Sequence, residues 1–98
     1  MTITAYLDIR IKPESLDGAA ALITDVLTAT RSFDGNLGVE VLIDEADPTH
    51  MVLVETWESV HHDAAYRDWR STPAGASGLA DILSAAPVLT LYKLAADI

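Results

Sequence analysis

Cysteine is absent from this sequence, so the chain can form no disulfide, no thiolate metal site and no cysteine nucleophile. Long apolar runs are absent as well, because no stretch approaches the roughly 18 residues that a membrane helix requires. The opening residues, MTITAYLDIRIK, lack the form of a signal peptide. These absences predict a cytoplasmic protein that has no membrane partner.

Basic residues are scarce, with six Lys and Arg against fifteen Asp and Glu and a formal net charge of −9. A groove that follows nucleic-acid phosphates needs clustered Lys and Arg, whereas the basic residues here are scattered. The composition therefore predicts no nucleic-acid partner, and we interpret the acidity as a contribution to solubility.

Hydrophobic residues are plentiful, at half of the 98 residues, which is too many for a disordered chain. This length predicts a single domain over residues 1–98. A chain of this size buries only about 60–65% of its unfolded surface, so its stability would gain from a partner.

The apolar spacing changes along the chain in a way that predicts alternating strands and helices. Residues 2–12 alternate with period two, placing Ile3, Ala5, Leu7, Ile9 and Ile11 on one face and Thr2, Thr4, Tyr6, Asp8 and Arg10 on the other. From Leu16 the spacing becomes helical, with Ser15 as the expected N-cap. The later predictions are strands at 37–44 and 50–57, a helix at 59–70, a short third helix at 79–86 and a last strand at 88–94.

This order, β-α-β-β-α-(α)-β, predicts an α+β ferredoxin-like split βαβ fold, in which helices cover one face of a four-stranded antiparallel sheet. The third strand is apolar on both sides at its centre, with Met51 and Leu53 on one and Val52 and Val54 on the other. A strand of this kind is usually buried on both sides. Because the helices cover one face only, something else must cover the second face. The simplest candidate is the same face of a second copy, so we predict a homodimer.

Residues 53–70, LVETWESVHHDAAYRDWR, hold three of the six aromatic residues and two of the three histidines. On a helical wheel, His62, Ala65, Tyr66 and Trp69 share the face that we expect to turn inward, while Arg67 points elsewhere. Two interpretations follow from this pattern. Either the stretch is a packed strand-to-helix corner with Tyr66 and Trp69 in the core, or it is the wall of a pocket for a flat molecule.

Four segments carry a resemblance to a known family: KPES after the first strand, FDGNLGVEVLID, DPTHMVLVETWES and PVLTLYKL. With these, nearly the whole chain resembles the antibiotic biosynthesis monooxygenase family of dimeric α/β-barrel proteins. The resemblance implies a homodimer whose sheets face each other, with a pocket in each subunit between sheet and helices. Known members include cofactor-independent oxygenases of quinols, anthrones and related polyketides. Close relatives degrade haem, and other members have no established activity.

The resemblance also implies site residues on the strands. Trp57 matches a recurrent tryptophan that helps to bind substrate in the oxygenases, and Leu53 and Glu55 share its strand face. Asp8 aligns with a pocket-facing asparagine of the haem-degrading relatives, which favours Tyr6 and Asp8 as the residues beneath the helices. The structural alternative for Asp8 is an ion pair with a nearby arginine or lysine.

The second helix supplies the remaining candidates that the resemblance implies. Tyr66 stands where quinol oxygenases often carry histidine, so His62, one turn earlier, is the candidate for the acid–base role. Trp57, Tyr66 and Trp69 would wall the slot, and an open space would adjoin His62. The Tyr66 hydroxyl or the Trp57 indole would donate to the substrate oxyanion, whereas the structural alternative for His62 is a simple hydrogen bond.

The chain departs from the family at positions that matter for function. Anthrone-type oxygenases place an asparagine, a tyrosine and an arginine where this chain has Leu53, Asp63 and Ala80. Haem-degrading relatives use an axial histidine where this chain has Gly75 and Ala76. Ligation of haem by a histidine at that place is therefore not supported.

Metal binding is not expected either. His61 and His62 are adjacent, so on a helix they would point about 100° apart and could not both face one ion. No glycine-rich phosphate loop and no nucleophile–His–acid order is present. We therefore predict a protein that uses no metal and no other cofactor.

The predicted function is that of a cofactor-independent monooxygenase that acts with dioxygen on a planar phenol, quinol or polyketide-like aromatic. In this chemistry the deprotonated substrate passes an electron to dioxygen, so the protein supplies only a dry slot, a base and an oxyanion donor. The candidate catalytic residues are His62, Asp8 and Tyr66. The alternatives are a non-oxidative ligand-binding dimer, or a cyclase, lyase or isomerase that uses His62 as a proton shuttle.

Overall fold

The computed structural model describes residues 1–98 and contains four strands and two α-helices. In chain order these are β1 (Ile3–Arg10), α1 (Leu16–Ser32), β2 (Asn36–Asp44), β3 (Asp47–Trp57), α2 (Val60–Arg70) and β4 (Val88–Tyr92). The strands form one antiparallel sheet in the order β2-β3-β1-β4. The predicted α+β ferredoxin-like fold is confirmed.

The main core lies between the sheet and α1. This helix buries Ala19, Ile23 and Leu27, which the helical spacing places on one stripe. They pack in one cluster with Ile9 of β1 and Leu53 of β3. Full burial of an Ile or Leu side chain stabilises the fold by roughly 1.5–3 kcal/mol, so this cluster holds α1 on the sheet.

The other face of the sheet has no helix above it, and we call it the open face. Its side chains include Tyr6, Val52, Val54, Val88 and Tyr92. Tyr6 and Tyr92 meet edge to face with ring centroids 5.1 Å apart, and Val88 is 61% exposed. β3 is thus apolar on both sides, as predicted, yet only one side is covered within the chain.

The side of β1 that faces the helices is the opposite of the one that the resemblance favoured. Ala5 and Ile9 are fully buried beneath the helices, while Tyr6 and Asp8 lie on the open face. An all-aliphatic strand side removes more apolar surface from water than a side carrying a carboxylate and hydroxyl groups. The expectation that Tyr6 and Asp8 lie beneath the helices is therefore wrong.

The segment between α2 and β4 does not form the α-helix expected at 79–86. Only a 3₁₀ turn at Leu79–Ile82 occurs there, after another such turn at Pro73–Gly75. The segment runs beside the end of β1, where the Ser84 N–H donates to the Arg10 carbonyl at 2.9 Å. Backbone groups that bond to a neighbouring strand are not available to bond within a helix.

Element boundaries differ from the predictions by a few residues. β3 begins at Asp47, which precedes the expected start at His50, and β4 ends at Tyr92. Ser15 precedes α1 as predicted, but its side chain makes no capping hydrogen bond. Neither helix is long and apolar enough to cross a membrane.

Candidate functional site

Four aromatic rings pack together where β3 passes into α2, and we call them the aromatic corner: Phe33, Trp57, Tyr66 and Trp69. The ring centroids of Trp57 and Tyr66 lie 4.9 Å apart, and Phe33 lies 5.3 Å from Tyr66 and 5.4 Å from Trp69. Trp57 is fully buried. Such close tilted and edge-on contacts are typical of packed cores. The structure therefore favours the packed-corner interpretation of Trp57 and Trp69 over the pocket wall.

The hydroxyl of Tyr66 is bonded on two sides within the protein. It lies 2.7 Å from the Thr30 hydroxyl, which itself donates to the Val26 carbonyl, and it accepts from Nε of Arg70 at 2.8 Å. Tyr66 therefore donates to Thr30. The bond to Thr30 joins α2 to α1, and the bond from Arg70 lies within α2. Because both hydrogen-bonding directions of the hydroxyl are in use, it is not free to serve as a donor to a ligand.

The inward face of α2 is more polar than the helical wheel predicted. The buried residues of the helix are Asp63 and Tyr66, and Arg67 and Arg70 lie partly buried beside them. Ala65 is exposed. The prediction that Arg67 points elsewhere is wrong because a wheel ranks faces by hydrophobicity alone, whereas here a buried carboxylate on β3 attracts the guanidinium.

That carboxylate belongs to Glu55, which is only 1% exposed. Its Oε1 accepts from Nη2 of Arg67 at 2.6 Å and from the indole nitrogen of Trp57 at 3.2 Å. The same Nη2 donates to Oδ1 of Asp63 at 2.9 Å, and Asp63 is 3% exposed. We call Glu55, Arg67 and Asp63 the buried charge cluster. The second oxygen of Glu55, Oε2, makes no hydrogen bond within the chain.

The charge state of Arg67 is fixed by its neighbours. Burial acts to lower the pKa of the guanidinium, but the charge and hydrogen bond of Glu55, followed by those of Asp63, outweigh burial and leave the pKa raised. Arg67 is therefore a permanent cation shared between two carboxylates. Its Nε is buried without a hydrogen-bond partner.

A cavity of about 430 Å³ lies between the sheet and the helices, beside the buried charge cluster. Its lining is mostly apolar and includes Leu7 and Leu53 from the sheet, Leu27 from α1, and Leu79 and Leu83 from the segment before β4. Glu55, Tyr66, Arg67 and Arg70 form its polar side. An apolar hollow of this size with a few converging polar groups is the usual form of a small-molecule site.

Three of the predicted site residues line this cavity, and the others do not. Leu53, Glu55 and the ring of Tyr66 are among its walls. Trp57 and Trp69 are held in the aromatic corner, and Tyr6 and Asp8 are on the open face, because the side chains of a strand alternate between two environments. Arg67 and Arg70 were not predicted from the sequence, although their spacing from Asp63 at i+4 and i+7 was an available signal.

His62 lies away from the cavity, and the prediction of an open space beside it at this site is wrong. Its Nδ1 is 2.7 Å from the Ser59 hydroxyl, which also caps α2 by accepting from the His62 N–H. Its ring rests on Gly35, where φ is +86° and an added Cβ would come within 2.2 Å of the imidazole. A glycine is required there on both grounds. The simple hydrogen-bonded role that was the alternative for His62 fits this position.

Asp34 and Glu58 stand near the other nitrogen of His62, at 3.8 and 3.6 Å from Nε2. The ligand atoms of the three groups lie within 4.8 Å of one another, a distance that an ion could span. Asp34 is 92% exposed, and exposed groups of this kind are common without an ion. The expectation of no metal centre remains a prediction.

Asp8 is paired on the open face, but with a histidine and not with the arginine or lysine considered from the sequence. Nε2 of His50 lies 2.9 Å from Asp8, and Nδ1 lies 2.8 Å from Asp44. The hydrogen bond to Asp8, followed by that to Asp44, raises the pKa of His50. The hydrogen bond from His50 is the main cause that lowers the pKa of Asp44. The group joins three strands and does not touch the cavity.

Comparison with known proteins places this chain in a family. The sequence profile described as "Antibiotic biosynthesis monooxygenase" matches residues 2–76. The chain therefore belongs to the antibiotic biosynthesis monooxygenase family. None of the curated proteins matches the sequence.

Solved structures share the fold over almost the whole chain at low sequence identity. A crystal structure of an antibiotic biosynthesis monooxygenase is 21% identical with a TM-score of 0.76, covering 94% of this chain and 97% of that one. A conserved protein from Methanosarcina mazei Go1 is 17% identical with a TM-score of 0.80, covering 95% and 92%. Rv0793 from Mycobacterium tuberculosis is 18% identical with a TM-score of 0.71, covering 96% and 95%. At these identities the likeness concerns the fold.

Proposed function

We propose that this protein is a cofactor-independent monooxygenase that oxidises a planar phenol, quinol or polyketide-like aromatic with dioxygen. The observation that carries the proposal is the apolar cavity with a single buried carboxylate, Glu55, on its wall. Family membership supports monooxygenase chemistry in general, whereas the aromatic substrate class is our inference from the cavity.

Glu55 takes the role of base for which His62 and Asp8 were the candidates from the sequence. Its Oε1 is held by Arg67 and Trp57, which fixes the carboxylate plane, and Oε2 makes no bond within the chain. A carboxylate with one oxygen anchored and one oxygen free is suited to take a proton from a bound hydroxyl or an activated C–H group. His62 and Asp8 do not line the cavity and have no such access.

The substrate itself then supplies the electrons for the oxidation. Glu55 removes a proton, and the delocalised anion passes an electron to dioxygen. The two radicals combine to form a carbon–oxygen bond, and cleavage of the oxygen–oxygen bond leaves one oxygen atom in the product and releases the other as water. The apolar walls formed by Leu7, Leu27 and Leu83 lower the polarity around Glu55, which strengthens its electrostatic interactions.

Oxygen consumption tests this proposal directly. A panel of anthrones and quinols is offered to the purified protein in an oxygen electrode, and at least one is expected to be consumed with one dioxygen per product. Glu55→Gln should lower the rate by about 10²–10⁴-fold, the usual contribution of a general base. Glu58→Gln is the matched control, because Glu58 lies three residues away on the outside of the protein. An unchanged rate in Glu55→Gln would contradict the proposal.

A proton-transfer enzyme is the second candidate, and the same observation favours it. A buried carboxylate beside an apolar cavity can move a proton without oxidation, as a cyclase or isomerase requires. Leu53 and Ala80, which stand where anthrone-type oxygenases carry polar residues, both line the cavity. Conversion of a panel compound under anaerobic conditions would select this candidate, and tight binding without conversion would select a ligand-binding dimer.

The open face supports a homodimer. Val88 and Tyr92 are 61% and 51% exposed there, and half-buried Val52 and Val54 lie beside them on β3. A second copy offers the same apolar surface, and a two-fold axis would cover both. Light scattering at micromolar concentration should give twice 10.5 kDa, and a monomer would contradict the dimer. A cytoplasmic location and the absence of a cofactor remain predictions from the sequence.

A further inference from the structure

We propose that the buried charge cluster makes the cavity select neutral hydroxyl compounds and reject anionic ones of the same shape. The inference rests on the proposed function, since it names the charge class of the substrate of that site. It concerns binding and not oxidation, so it can be tested without dioxygen.

The first ground is that the positive charge of both arginines at the cavity is already balanced within the protein. Arg67 donates from one nitrogen to Glu55 at 2.6 Å and to Asp63 at 2.9 Å. Two carboxylates are paired with this single cation, so the buried charge cluster carries one net negative charge.

Arg70 balances that charge but is saturated by the protein. Its Nε donates to the Tyr66 hydroxyl at 2.8 Å, Nη2 donates to the Val26 carbonyl at 2.9 Å, and Nη1 donates to the Gly75 carbonyl at 3.3 Å. A bound anion would have to break these bonds to gain a partner. When Asp63, which bonds to Arg67 but does not line the cavity, is included, the charges on the polar side of the cavity sum to zero.

The second ground is the hydrogen-bond acceptor that Glu55 offers to a ligand. Oε2 of Glu55 is a carboxylate oxygen without a partner in the chain, and an ionised carboxylate only accepts hydrogen bonds. A ligand hydroxyl satisfies it by donating. A ligand carboxylate or phenolate brings a second negative charge to the same place in an apolar cavity, where repulsion is weakly screened.

Two flat ligands of similar size separate these cases: 2-naphthol, which is neutral at pH 7, and 2-naphthoate, which is an anion. Their affinities are measured by isothermal titration calorimetry under nitrogen. We expect the wild-type protein to bind 2-naphthol at least about tenfold more tightly, a ratio that corresponds to about 1.4 kcal/mol. Equal affinities, tighter binding of 2-naphthoate, or binding of neither ligand would overturn the proposal.

Two variants then distinguish charge from hydrogen bonding. Glu55→Gln removes a negative charge and the free carboxylate oxygen, so 2-naphthol should bind more weakly and 2-naphthoate more tightly. Asp63→Asn removes a negative charge of the same cluster but keeps Glu55 as acceptor, so 2-naphthoate should gain affinity while 2-naphthol changes little. If both variants keep the wild-type preference, the cluster does not set selectivity.

A measurement on the wild-type protein alone covers the case in which a variant does not fold. 4-Nitrophenol ionises near neutral pH, so one compound presents the neutral and anionic forms in turn. Its affinity should fall as it ionises, whereas an affinity that rises or stays constant would overturn the proposal. A protein that selects neutral ligands yet consumes no oxygen would refute the proposed oxidation only. Oxygen consumption with equal binding of neutral and anionic ligands would refute the selectivity only.

Discussion

The aromatic corner and the cavity are neighbours built from the same two elements, β3 and α2, yet they are opposite in character. In the corner, ring centroids lie 4.9–6.2 Å apart and Trp57 has no exposed surface. In the cavity, aliphatic side chains surround about 430 Å³ of free space, and Tyr66 is the one ring shared by both regions. Concentrated aromatic residues therefore mark packing in this protein, and the functional candidate lies on the other side of the same tyrosine.

The buried charge cluster is what distinguishes the cavity. Removing ions from water costs free energy that their attraction repays only when the geometry is good, so a buried ion cluster is weak evidence for stability. Apolar side chains would fill the space below α2 at no such cost. The burial of Glu55 at 1% exposure on the cavity wall therefore supports the proposed role of its carboxylate as a base.

The contrast between the two regions predicts that substitutions in the aromatic corner lower the free energy of unfolding more than substitutions at the cavity. Trp57→Ala should destabilise the protein by about 3–5 kcal/mol, because it removes the largest fully buried side chain and leaves a void among three rings. Chemical denaturation monitored by circular dichroism measures the loss. Val60→Ala, at a position that is 47% exposed, should change stability by no more than about 0.5 kcal/mol. A small loss for Trp57→Ala would mean that the corner is not packed core.

Breaking the buried charge cluster should cause the second largest loss of stability. Arg67→Met leaves two buried carboxylates without their cation and should cost about 3 kcal/mol, near the low end for such a loss because Arg67 is 25% exposed. Adding Glu55→Gln and Asp63→Asn to Arg67→Met removes the uncompensated charges. Denaturant midpoints of the single and triple variants should therefore show a partial recovery in the triple variant. Additive losses would contradict the shared-cation arrangement.

Tyr66 allows the two regions to be separated within one residue. Tyr66→Phe keeps the ring in the corner and in the cavity wall but removes the bond to the Thr30 hydroxyl and leaves Nε of Arg70 without its acceptor, so it should cost about 1–3 kcal/mol. Thermal unfolding measures this cost. Tyr92→Phe is the control, because the Tyr92 hydroxyl makes no hydrogen bond in the chain and its side chain is exposed. Affinity for 2-naphthol should stay within a few-fold of wild type, since the ring and Glu55 remain.

The smallest expected effect lies on the open face and depends on pH. The raised pKa of His50 gives stability that is present below about pH 6.5, its ordinary value, and is lost as pH rises through the higher value in the fold. The lowered pKa of Asp44 gives stability that is present above 3.8 and is lost as pH falls through the lower value in the fold. The difference in Tm between wild type and His50→Gln should therefore be largest between about pH 4 and 6.5.

A Tm series from pH 3 to pH 9 by differential scanning fluorimetry checks this dependence. Glu40→Gln, a change to an exposed carboxylate on β2, provides a control for loss of charge from the same region. A difference between wild type and His50→Gln that is constant with pH would show that the imidazole does not act as a charged link between Asp8 and Asp44.

The fold was predictable because its signals are local and periodic. The alternation in β1 and the stripe of Ala19, Ile23 and Leu27 in α1 each follow from one segment and its own geometry. The segment before β4 was not predictable in this way. Its apolar spacing is helical, but its backbone bonds to the end of β1, a partner about seventy residues earlier in the chain.

The site was less predictable than the fold, since it depends on contacts between elements. Glu55 could be placed on the same strand side as Leu53 and Trp57, and that placement is correct. The helical wheel placed Tyr66 and Trp69 inward correctly but Arg67 wrongly, because Arg67 is partly buried by its ion pairs and not by its own hydrophobicity. No single segment contains both partners of that contact.

The pairing of β1 with β4 has a consequence for the motion of the molecule. The two strands join opposite ends of the chain, from Thr4 with Tyr92 to Asp8 with Val88, and all five residues of β4 are exposed. Leu79 and Leu83, which close one side of the cavity, belong to the segment that leads into this strand. Elements with little buried surface open first by local unfolding. We therefore expect the amides of β4 to exchange with deuterium sooner than those of β3. We also expect ligands to enter the cavity at the rate at which β4 separates from β1 while the rest of the sheet stays intact.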